Sequence, residues 1–346
     1  MVNFSQLAKK LDQGNIASSI ESLPYQCQQA WNEAKRIKLP SSYFRVKEIV
    51  VCGMGGSALG TDFLRYNLYD ELKLPVNIIN DYQIPAYVSR DSLVIISSYS
   101  GNTQESLSCF KKAIKKKSKI IIITAGGKLA QIAKRNNIPA YIFEPRFNPS
   151  NQPRMGLGYS IMAQLAIFNQ LGFLRIKERE IKKAFTNLIA KEDMRKKAKI
   201  LACKIKDKIP LIVAAEFLSG NAHILANQIN ENAKNFAAYF LLPELNHHLM
   251  EGLKYPQANK NLVFLFLESN SYTKILKKRI FITKKVLKKN KIFYLSYITS
   301  CKGKLVEGLE VLIFGSWLSF YLALLNNVNP SLIPFVDYFK KELEKK

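Results

Sequence analysis

The sequence predicts an α/β protein made of two doubly wound, flavodoxin-like parallel sheets and a C-terminal helical segment. In both halves, short apolar runs of strand length alternate with longer amphipathic runs of helical period. A small-residue turn follows the first strand of each half, at Gly53-Met-Gly-Gly-Ser57 and at Ser219-Gly220-Asn221. The 346 residues, 48% of them hydrophobic, suffice for two domains with separate cores.

The N-terminal half reads as repeated strand and helix. The first predicted strand begins at Glu48, and the next are Val76–Asn80, Leu93–Ser97, Ile120–Thr124 and Ala140–Phe143. Amphipathic stretches follow the first strand to about Leu72 and occupy Gln104–Lys116. This alternation predicts a parallel sheet, which binds ligands beyond the carboxyl ends of its strands.

Three prolines, Pro145, Pro149 and Pro153, form a connector, and we place the domain boundary there, giving domains 1–153 and 154–346. The second domain has predicted strands at Ile209–Phe217, Leu262–Leu267 and Ile292–Tyr297. An apolar helix is predicted over Val311–Leu325. That stretch is shorter than the ~20 residues that cross a bilayer, so we expect a core helix and no membrane association.

The formal charge of +26, from 52 basic and 26 acidic residues, raises the possibility of a nucleic-acid partner. The densest basic run, Lys274 to Lys291, interleaves its lysines with apolar residues at near-helical spacing. That pattern is typical of a solvated helix face. Because no recognition-helix, zinc-finger or RNA-binding motif accompanies the charge, we expect no nucleic-acid partner.

The five cysteines are odd in number, scattered and without CxxC spacing, which argues against disulfides and zinc sites. We expect them to be small core side chains. The N-terminal residues Met1-Val-Asn-Phe-Ser-Gln6 contain no basic region followed by an apolar run. This predicts a cytoplasmic protein without a signal peptide.

Two polar loops are candidates for binding a phosphate. Gly53–Ser57, which includes Gly56 and Ser57, and the loop containing Ser98, Ser100 and Thr103 each follow a strand and open a helix. Helix N-termini present free N–H groups and a positive dipole end to an anion. Ser98 or Thr103 alone would fit a helix cap, but two such loops side by side favour a sugar-phosphate site.

A dinucleotide site is the alternative enzyme interpretation. Gly53, Gly55 and Ala58 fit G-x-G-x-x-A, and Asp81 follows a strand at a suitable distance, as in an NAD-dependent oxidoreductase. Such a site does not require the second hydroxyl-rich loop. A P-loop is excluded because neither glycine run is followed by Gly-Lys-Ser/Thr.

Four further motifs accompany these loops: Pro153-Arg154-x-x-Leu-Gly-Tyr159, Asn227-Gln-Ile-Asn-Glu231-Asn-Ala-Lys234, Pro243-Glu-Leu-Asn-His247 and the end segment Pro330–Lys340. Together, and in this order, they resemble the bifunctional phosphoglucose/phosphomannose isomerases of the sugar isomerase (SIS) superfamily. The resemblance covers nearly the whole chain. It implies two SIS domains that interconvert glucose 6-phosphate, and mannose 6-phosphate, with fructose 6-phosphate, without metal or organic cofactor.

The resemblance also implies roles for individual residues. Glu231 would move the proton between carbons 1 and 2 through a cis-enediol, and desolvation in a cleft would strengthen it as a base. His247 would open the sugar ring, since imidazole titrates near neutral pH, although the adjacent His248 is an alternative. The histidine would come from the neighbouring subunit, which implies a homodimer.

Two cations complete the implied site. Lys340 would assist ring opening, and Arg154 would stabilise the developing enediolate, while Gly56, Ser57, Ser98, Ser100 and Thr103 would bind the phosphate. A non-catalytic alternative is a sugar-phosphate-sensing regulator, because SIS domains also occur behind DNA-binding domains. The residues before Glu48 are too few for a DNA-binding domain, which disfavours it.

Overall fold

The structure, a computed structural model, describes residues 2–188 and 192–345. Its strands are β1 (Glu48–Cys52), β2 (Val76–Ile79), β3 (Ser92–Ser97), β4 (Lys119–Thr124), β5 (Ala140–Ile142), β6 (Ile209–Ala215), β7 (Ala238–Leu242), β8 (Leu262–Glu268) and β9 (Phe293–Ile298). Its helices are α1 (Phe4–Leu11), α2 (Ile16–Glu21), α3 (Leu23–Ala34), α4 (Gly56–Asn67), α5 (Gln104–Lys115), α6 (Gly127–Arg135), α7 (Leu157–Gln170), α8 (Glu178–Leu188), α9 (Glu192–Ile205), α10 (Ser219–Ala233), α11 (Leu245–Gly252), α12 (Lys274–Lys289), α13 (Lys304–Leu325) and α14 (Pro334–Glu344).

The chain forms two compact units, each built around one sheet. The first-sheet unit comprises Glu21–Ala190 and Cys301–Gly308. The second-sheet unit comprises Met1–Ile20, Lys191–Ser300 and Leu309–Lys346. The segment that begins at residue 154 therefore packs with the first sheet up to α8, because α7 lies against α3 and α4. The sequence, in contrast, predicts a division into residues 1–153 and 154–346.

The first sheet is parallel throughout, with strand order β2-β1-β3-β4-β5. This is the flavodoxin-like, doubly wound order, in which the chain reverses direction across the sheet between β1 and β3. The central strands are apolar and buried, including Ile120–Ile123 of β4. Each fully buried isoleucine contributes about 1.5–3 kcal/mol to stability. The predicted fold class is confirmed.

Helix α7 is the core helix of the first-sheet unit. Residues 157–168 are all buried, which is typical of a helix that is apolar on every side. Its neighbour α3 buries Leu23, Cys27 and Trp31 at helical spacing. The sequence analysis predicted no elements before Glu48. The helices α1, α2 and α3 are therefore known only from the structure.

The second sheet is also parallel, with order β7-β6-β8-β9. Strands β6, β8 and β9 fall where the sequence predicts them, although β6 ends at Ala215 and continues as a single 3₁₀ turn, Glu216–Leu218. Strand β7, a half-buried edge strand, was missed although Ala238–Leu242 is an apolar run, because a run of five residues is too short to separate strand from helix by periodicity. The basic helix α12 buries Leu276, Ile280 and Leu287 and exposes its lysines apart from the half-buried Lys284, which is close to the predicted solvated face.

Helix α13 is longer than predicted, since it begins at Lys304 and spans 22 residues. By length and composition alone it is able to cross a membrane, so the argument from shortness was wrong. However, 94% of its most apolar 18-residue window is buried within the protein. A core helix has the same properties, which makes this helix weak evidence for a membrane span.

None of the five cysteines, all of which the structure describes, forms a disulfide. Cys27, Cys52 and Cys109 are core side chains, as the sequence predicts. Burial raises the pKa of the Cys27 thiol to about 12, so it stays protonated at neutral pH. The core interpretation was wrong for Cys203, which is exposed, and for Cys301, which is half-buried.

Candidate active site

The two predicted phosphate loops lie side by side at the point where the first sheet reverses its direction of winding. Strands β1 and β3 are direct neighbours, with Cys52 paired to Ile96. The loops that leave their carboxyl ends therefore open at the same edge of the sheet. This is the position at which doubly wound sheets bind their ligands.

The first loop makes a tight turn into α4. Gly55 is the residue before the helix and has φ of +48°, a conformation that favours glycine. Gly56 begins the helix, and a Cβ at this position would lie 2.8 Å from the carbonyl oxygen of Pro153. Glycine at position 56 thus lets the Pro153-Arg154 motif approach the loop. Ser57 follows in the first helical turn, where N–H groups have no helical acceptor.

The second loop is organised by its own hydroxyl groups. The Ser98 and Thr103 hydroxyl oxygens are 2.8 Å apart, and the Gly101 N–H donates to Ser98 Oγ at 3.1 Å. Thr103 occupies the N-cap position of α5 but makes no side-chain capping bond. A simple capping role is therefore not what the structure shows for Thr103. Ser100 is exposed, and its Oγ accepts from the Asn102 N–H at 3.3 Å.

The two loops are joined by one hydrogen bond, from the Tyr99 N–H to Ser57 Oγ at 3.0 Å. A small cavity lies at this junction, and Gly56, Ser57, Tyr99 and Pro153 are among its lining residues. The first loop contributes Gly56 and Ser57 to this lining, the second loop contributes Tyr99, and Ser98, Ser100 and Thr103 do not line the cavity. The two loops predicted from sequence thus adjoin each other, and hydroxyl groups and helix N-termini are groups able to bind an anion.

Tyr99 is a site residue that the sequence reasoning did not select. Its hydroxyl accepts from Asn148 Nδ2 at 2.9 Å, and burial raises its pKa to about 12. The ring therefore stays neutral at physiological pH and adds no negative charge beside a phosphate. The sequence could have indicated Tyr99 as a site residue, because it lies between Ser98 and Ser100 in the predicted loop.

Arg154 is buried, with 2% of its surface exposed, in the short 3₁₀ turn Pro153–Met155 beside the first loop. Its Nη1 donates to Gln152 Oε1 at 2.8 Å. Burying a guanidinium is costly in the absence of compensating interactions. The backbone of this turn adjoins the first loop, since a Cβ at Gly56 would lie 3.2 Å from the Arg154 nitrogen.

Glu231 and His247 belong to the second-sheet unit and lie at opposite ends of β7. Glu231 is half-buried near the end of α10, which precedes β7, and the neighbouring Asn230 donates to the Ala237 carbonyl at 2.9 Å. His247 is exposed in α11, which follows β7. Five strand residues at ~3.3 Å each separate these points by roughly 15 Å. The fold of one chain does not bring the two side chains together.

The remaining predicted groups are solvent-exposed. Lys340 lies in α14, which exposes most of its residues. His248 is also exposed, and its ring centroid is 6.3 Å from that of Phe240. The third histidine, His223, stacks on Tyr239 with centroids 4.7 Å apart. Across residues 2–188 and 192–345, no three His, Cys, Asp or Glu side chains cluster as metal ligands.

The two loops after β1 and β3, the strand order of the first sheet and the buried Arg154 define a class of protein, the SIS-domain proteins. Residues 42–173 match the family described as "SIS domain", and residues 194–343 match "Bacterial phospho-glucose isomerase C-terminal SIS domain". Among solved structures, a hypothetical protein from Thermus thermophilus superimposes with a TM-score of 0.69 at 17% identity, covering 99% of this chain and 94% of that one. The C-terminal domain of glucosamine-fructose-6-phosphate aminotransferase from Francisella tularensis gives 0.68 at 14% identity, covering 91% and 97%. These likenesses establish the fold.

Relatives found by sequence similarity identify the family, whereas the solved structures identify only the fold. The bifunctional phosphoglucose/phosphomannose isomerase of Caldicellulosiruptor bescii is 33% identical over 94% of this chain and 98% of its own length. The protein of the same description from Aquifex aeolicus is 32% identical over 86% of this chain and 91% of its own length. The chain belongs to the bifunctional phosphoglucose/phosphomannose isomerase family, as its motifs predict. These relatives support neither the oxidoreductase nor the sensor alternative.

Proposed function

We propose that this protein is an isomerase that interconverts glucose 6-phosphate and mannose 6-phosphate with fructose 6-phosphate. The observation that carries the proposal is the convergence of two hydroxyl-bearing loops, linked by the Tyr99-to-Ser57 hydrogen bond, at the reversal point of the first sheet. Family membership supplies the reaction class.

The first-sheet unit binds the phosphate in this proposal. Ser57, Ser98, Ser100 and Thr103 offer hydroxyl donors, and Gly56 offers backbone close to the ligand. The N-termini of α4 and α5 add a positive electrostatic potential. Four hydroxyl groups and two helix ends suit a terminal phosphate better than a neutral sugar hydroxyl.

The proton transfer is assigned to Glu231. Its carboxylate removes the proton from carbon 2 of the aldose phosphate, and the electron pair forms the enediolate with its negative charge on O1. The hydroxyl proton of O2 passes to O1, and the same carboxyl group returns its proton to carbon 1, which leaves the carbonyl at carbon 2. The fixed charge of Arg154 stabilises the negative oxygen of the enediolate. Because a single carboxylate serves both carbons, the step needs no oxidant and no metal ion.

Ring opening is assigned to His247 and Lys340, with His248 as the alternative imidazole. The separation of Glu231 from His247 along β7 supports a homodimer in which each site takes Glu231 from one chain and His247 from the other. We propose a domain division into a phosphate-binding part, 1–153, and a part carrying the acid-base groups, 154–346. The proposed setting is glycolysis or gluconeogenesis in the cytoplasm.

A coupled assay tests the proposed reaction. Purified protein with EDTA and no added cofactor should convert both glucose 6-phosphate and mannose 6-phosphate to fructose 6-phosphate. Turnover of neither substrate, with intact folding by circular dichroism, would contradict the proposal. NAD-dependent absorbance change without isomerisation would instead support the oxidoreductase alternative.

A further inference from the structure

A second concave site lies in the second-sheet unit, with a volume of about 300 Å³. It is formed by the turn after α11, the end of α12 and the residues that lead into β8 and β9. Four of its lining residues are lysines and none is acidic. The lysines are Lys254, Lys260, Lys289 and Lys291. We call this concavity the lysine pocket; neither the family roles nor the proposed reaction uses it.

In the described part of the chain, the four lysines make no ion pair with a carboxylate, whereas some lysines of the same unit do. Lys284, for example, contacts Glu268 at 2.6 Å. Among the residues that the structure describes, no ion pair involves any lysine of the lysine pocket. Lys254 does lie 5.6 Å from the ring centroid of Tyr255. The positive charge of the pocket is therefore not neutralised by carboxylates of the described chain.

Helix ends explain only part of this charge. Helices α11 and α12 end at Gly252 and Lys289, and lysines stabilise the negative end of a helix dipole. Two helix C-termini carry about −0.5 each, or roughly −1 together, against four formal positive charges. About three positive charges remain. Helix capping alone would need far fewer lysines.

The backbone around the lysine pocket is held in place by amide side chains. Asn259 Nδ2 donates to the carbonyls of Gly252 and Tyr255, at 3.1 and 2.7 Å. Asn290 Nδ2 donates to the Val286 carbonyl at 3.0 Å. The acceptors of these bonds belong to the segments that carry Lys254 and Lys289. The bonds fix the loops from which the lysines project, which lowers the entropic cost of binding.

We propose that the lysine pocket binds a small anion with at least two phosphate groups, such as pyrophosphate or the polyphosphate chain of a nucleotide. Two phosphate groups carry about −3 to −4 at neutral pH, which matches the remaining positive charge. The volume lies at the lower end of the range for small-molecule sites. A nucleic-acid backbone would need a basic surface extending beyond one concavity.

Isothermal titration calorimetry with pyrophosphate, in buffer without divalent metal ions, tests the proposal. The pocket variant is Lys260→Gln with Lys289→Gln. The control variant, Lys111→Gln with Lys115→Gln, removes two exposed lysines of α5 and leaves the same net charge. We expect the pocket variant to bind at least about ten-fold more weakly and the control to match the wild type. Binding should also weaken at high salt, which screens exposed charges.

Equal affinity in the pocket and control variants would overturn the proposal, because the anion would then bind elsewhere, for example at the hydroxyl-rich loops. Absence of pyrophosphate binding by the wild type would overturn it as well. A single-stranded oligonucleotide serves as a further probe. If the pocket variant lost oligonucleotide binding and retained pyrophosphate binding, the site would be a nucleic-acid surface instead. Circular dichroism and thermal melting confirm that both variants fold.

Discussion

The two sheets have the same winding but different chemistry at their reversal points. In the first sheet, the loops after β1 and β3 present Ser57, Ser98 and Thr103, and a hydroxyl–amide bond joins them. In the second sheet, the corresponding loops follow β6 and β8. There, Glu216 Oε1 accepts from the hydroxyl of Thr273 at 2.6 Å and from its N–H at 3.3 Å. A carboxylate of the chain itself thus lies at the N-terminus of α12.

Under the proposed function, this difference explains why a phosphate would bind at the reversal point of the first sheet and not at that of the second. Thr103 and Thr273 are both N-caps without a side-chain capping bond, at the starts of α5 and α12. Thr103 faces another hydroxyl, whereas Thr273 faces a negative charge. A phosphate approaching Thr273 would be repelled by Glu216. The second sheet is therefore suited to supplying acid-base groups and not to binding the phosphate.

The largest effect is expected from removing the proposed proton carrier of the second-sheet unit. Glu231→Gln keeps the shape of the side chain but cannot accept the proton, so kcat should fall about 10²- to 10⁴-fold. KM should stay close to the wild-type value if the phosphate loops dominate binding. Steady-state kinetics with fructose 6-phosphate measure both quantities. Glu251→Gln, an exposed glutamate of α11, is the matched control; near-normal turnover of Glu231→Gln would reject the assignment.

A mixing experiment tests whether Glu231 and His247 act from different chains. His247→Asn and Glu231→Gln should each be nearly inactive as homodimers. Refolding the two variants together should restore activity, because one site of each mixed dimer then contains both native groups. The coupled assay and size-exclusion chromatography follow the result. If mixed dimers form and remain inactive, the two residues act within one chain. Activity of the His247→Asn variant alone would show that His247 is not required.

The contrast between the two threonines gives the next prediction. Thr103→Ala should raise KM for fructose 6-phosphate about ten-fold or more, since a hydrogen bond to a charged group contributes roughly 1.5–3 kcal/mol. Thr273→Ala removes the equivalent hydroxyl of the second sheet and should leave KM unchanged. Initial-rate measurements on both variants decide the matter. Equal effects would show that the second sheet's loops also bind substrate, which would contradict the proposed difference between Thr103 and Thr273.

Much of the fold was predictable because its strands are continuous apolar runs. The buried strands β3 and β4 are examples, and the polar loops at their carboxyl ends followed from chain order alone. Strand β7 was missed because its run of five residues is too short to separate strand from helix by periodicity. Helix α13 was shortened because its first turns carry lysine and glutamate. Local pattern identified the edge strands β2, β5 and β9 as well as the buried strands, and it failed at β7 and at the first turns of α13.

The candidate site was predictable only as separate motifs. Ser57, Ser98 and Thr103 were selected from their positions after strands, and the structure places them together. The contact of Gly56 with Pro153 depends on how α7 packs, which residue spacing does not reveal. The same holds for the Tyr99–Asn148 hydrogen bond, which joins residues 49 positions apart. The burial of Arg154 likewise results from tertiary packing.

The smallest expected effect comes from removing the charge of Glu216, the carboxylate that lies at the N-terminus of α12. Glu216→Gln retains an acceptor for the Thr273 hydroxyl and N–H but abolishes the repulsion of anions. Inorganic phosphate should then bind weakly at the start of α12. At a phosphate concentration equal to Kd the added stability is about 0.4 kcal/mol, or ~1 °C in Tm. Thermal melts with and without phosphate, compared with Glu251→Gln, would show it. An identical phosphate response in both variants would mean that Glu216 is not what keeps anions from this loop pair.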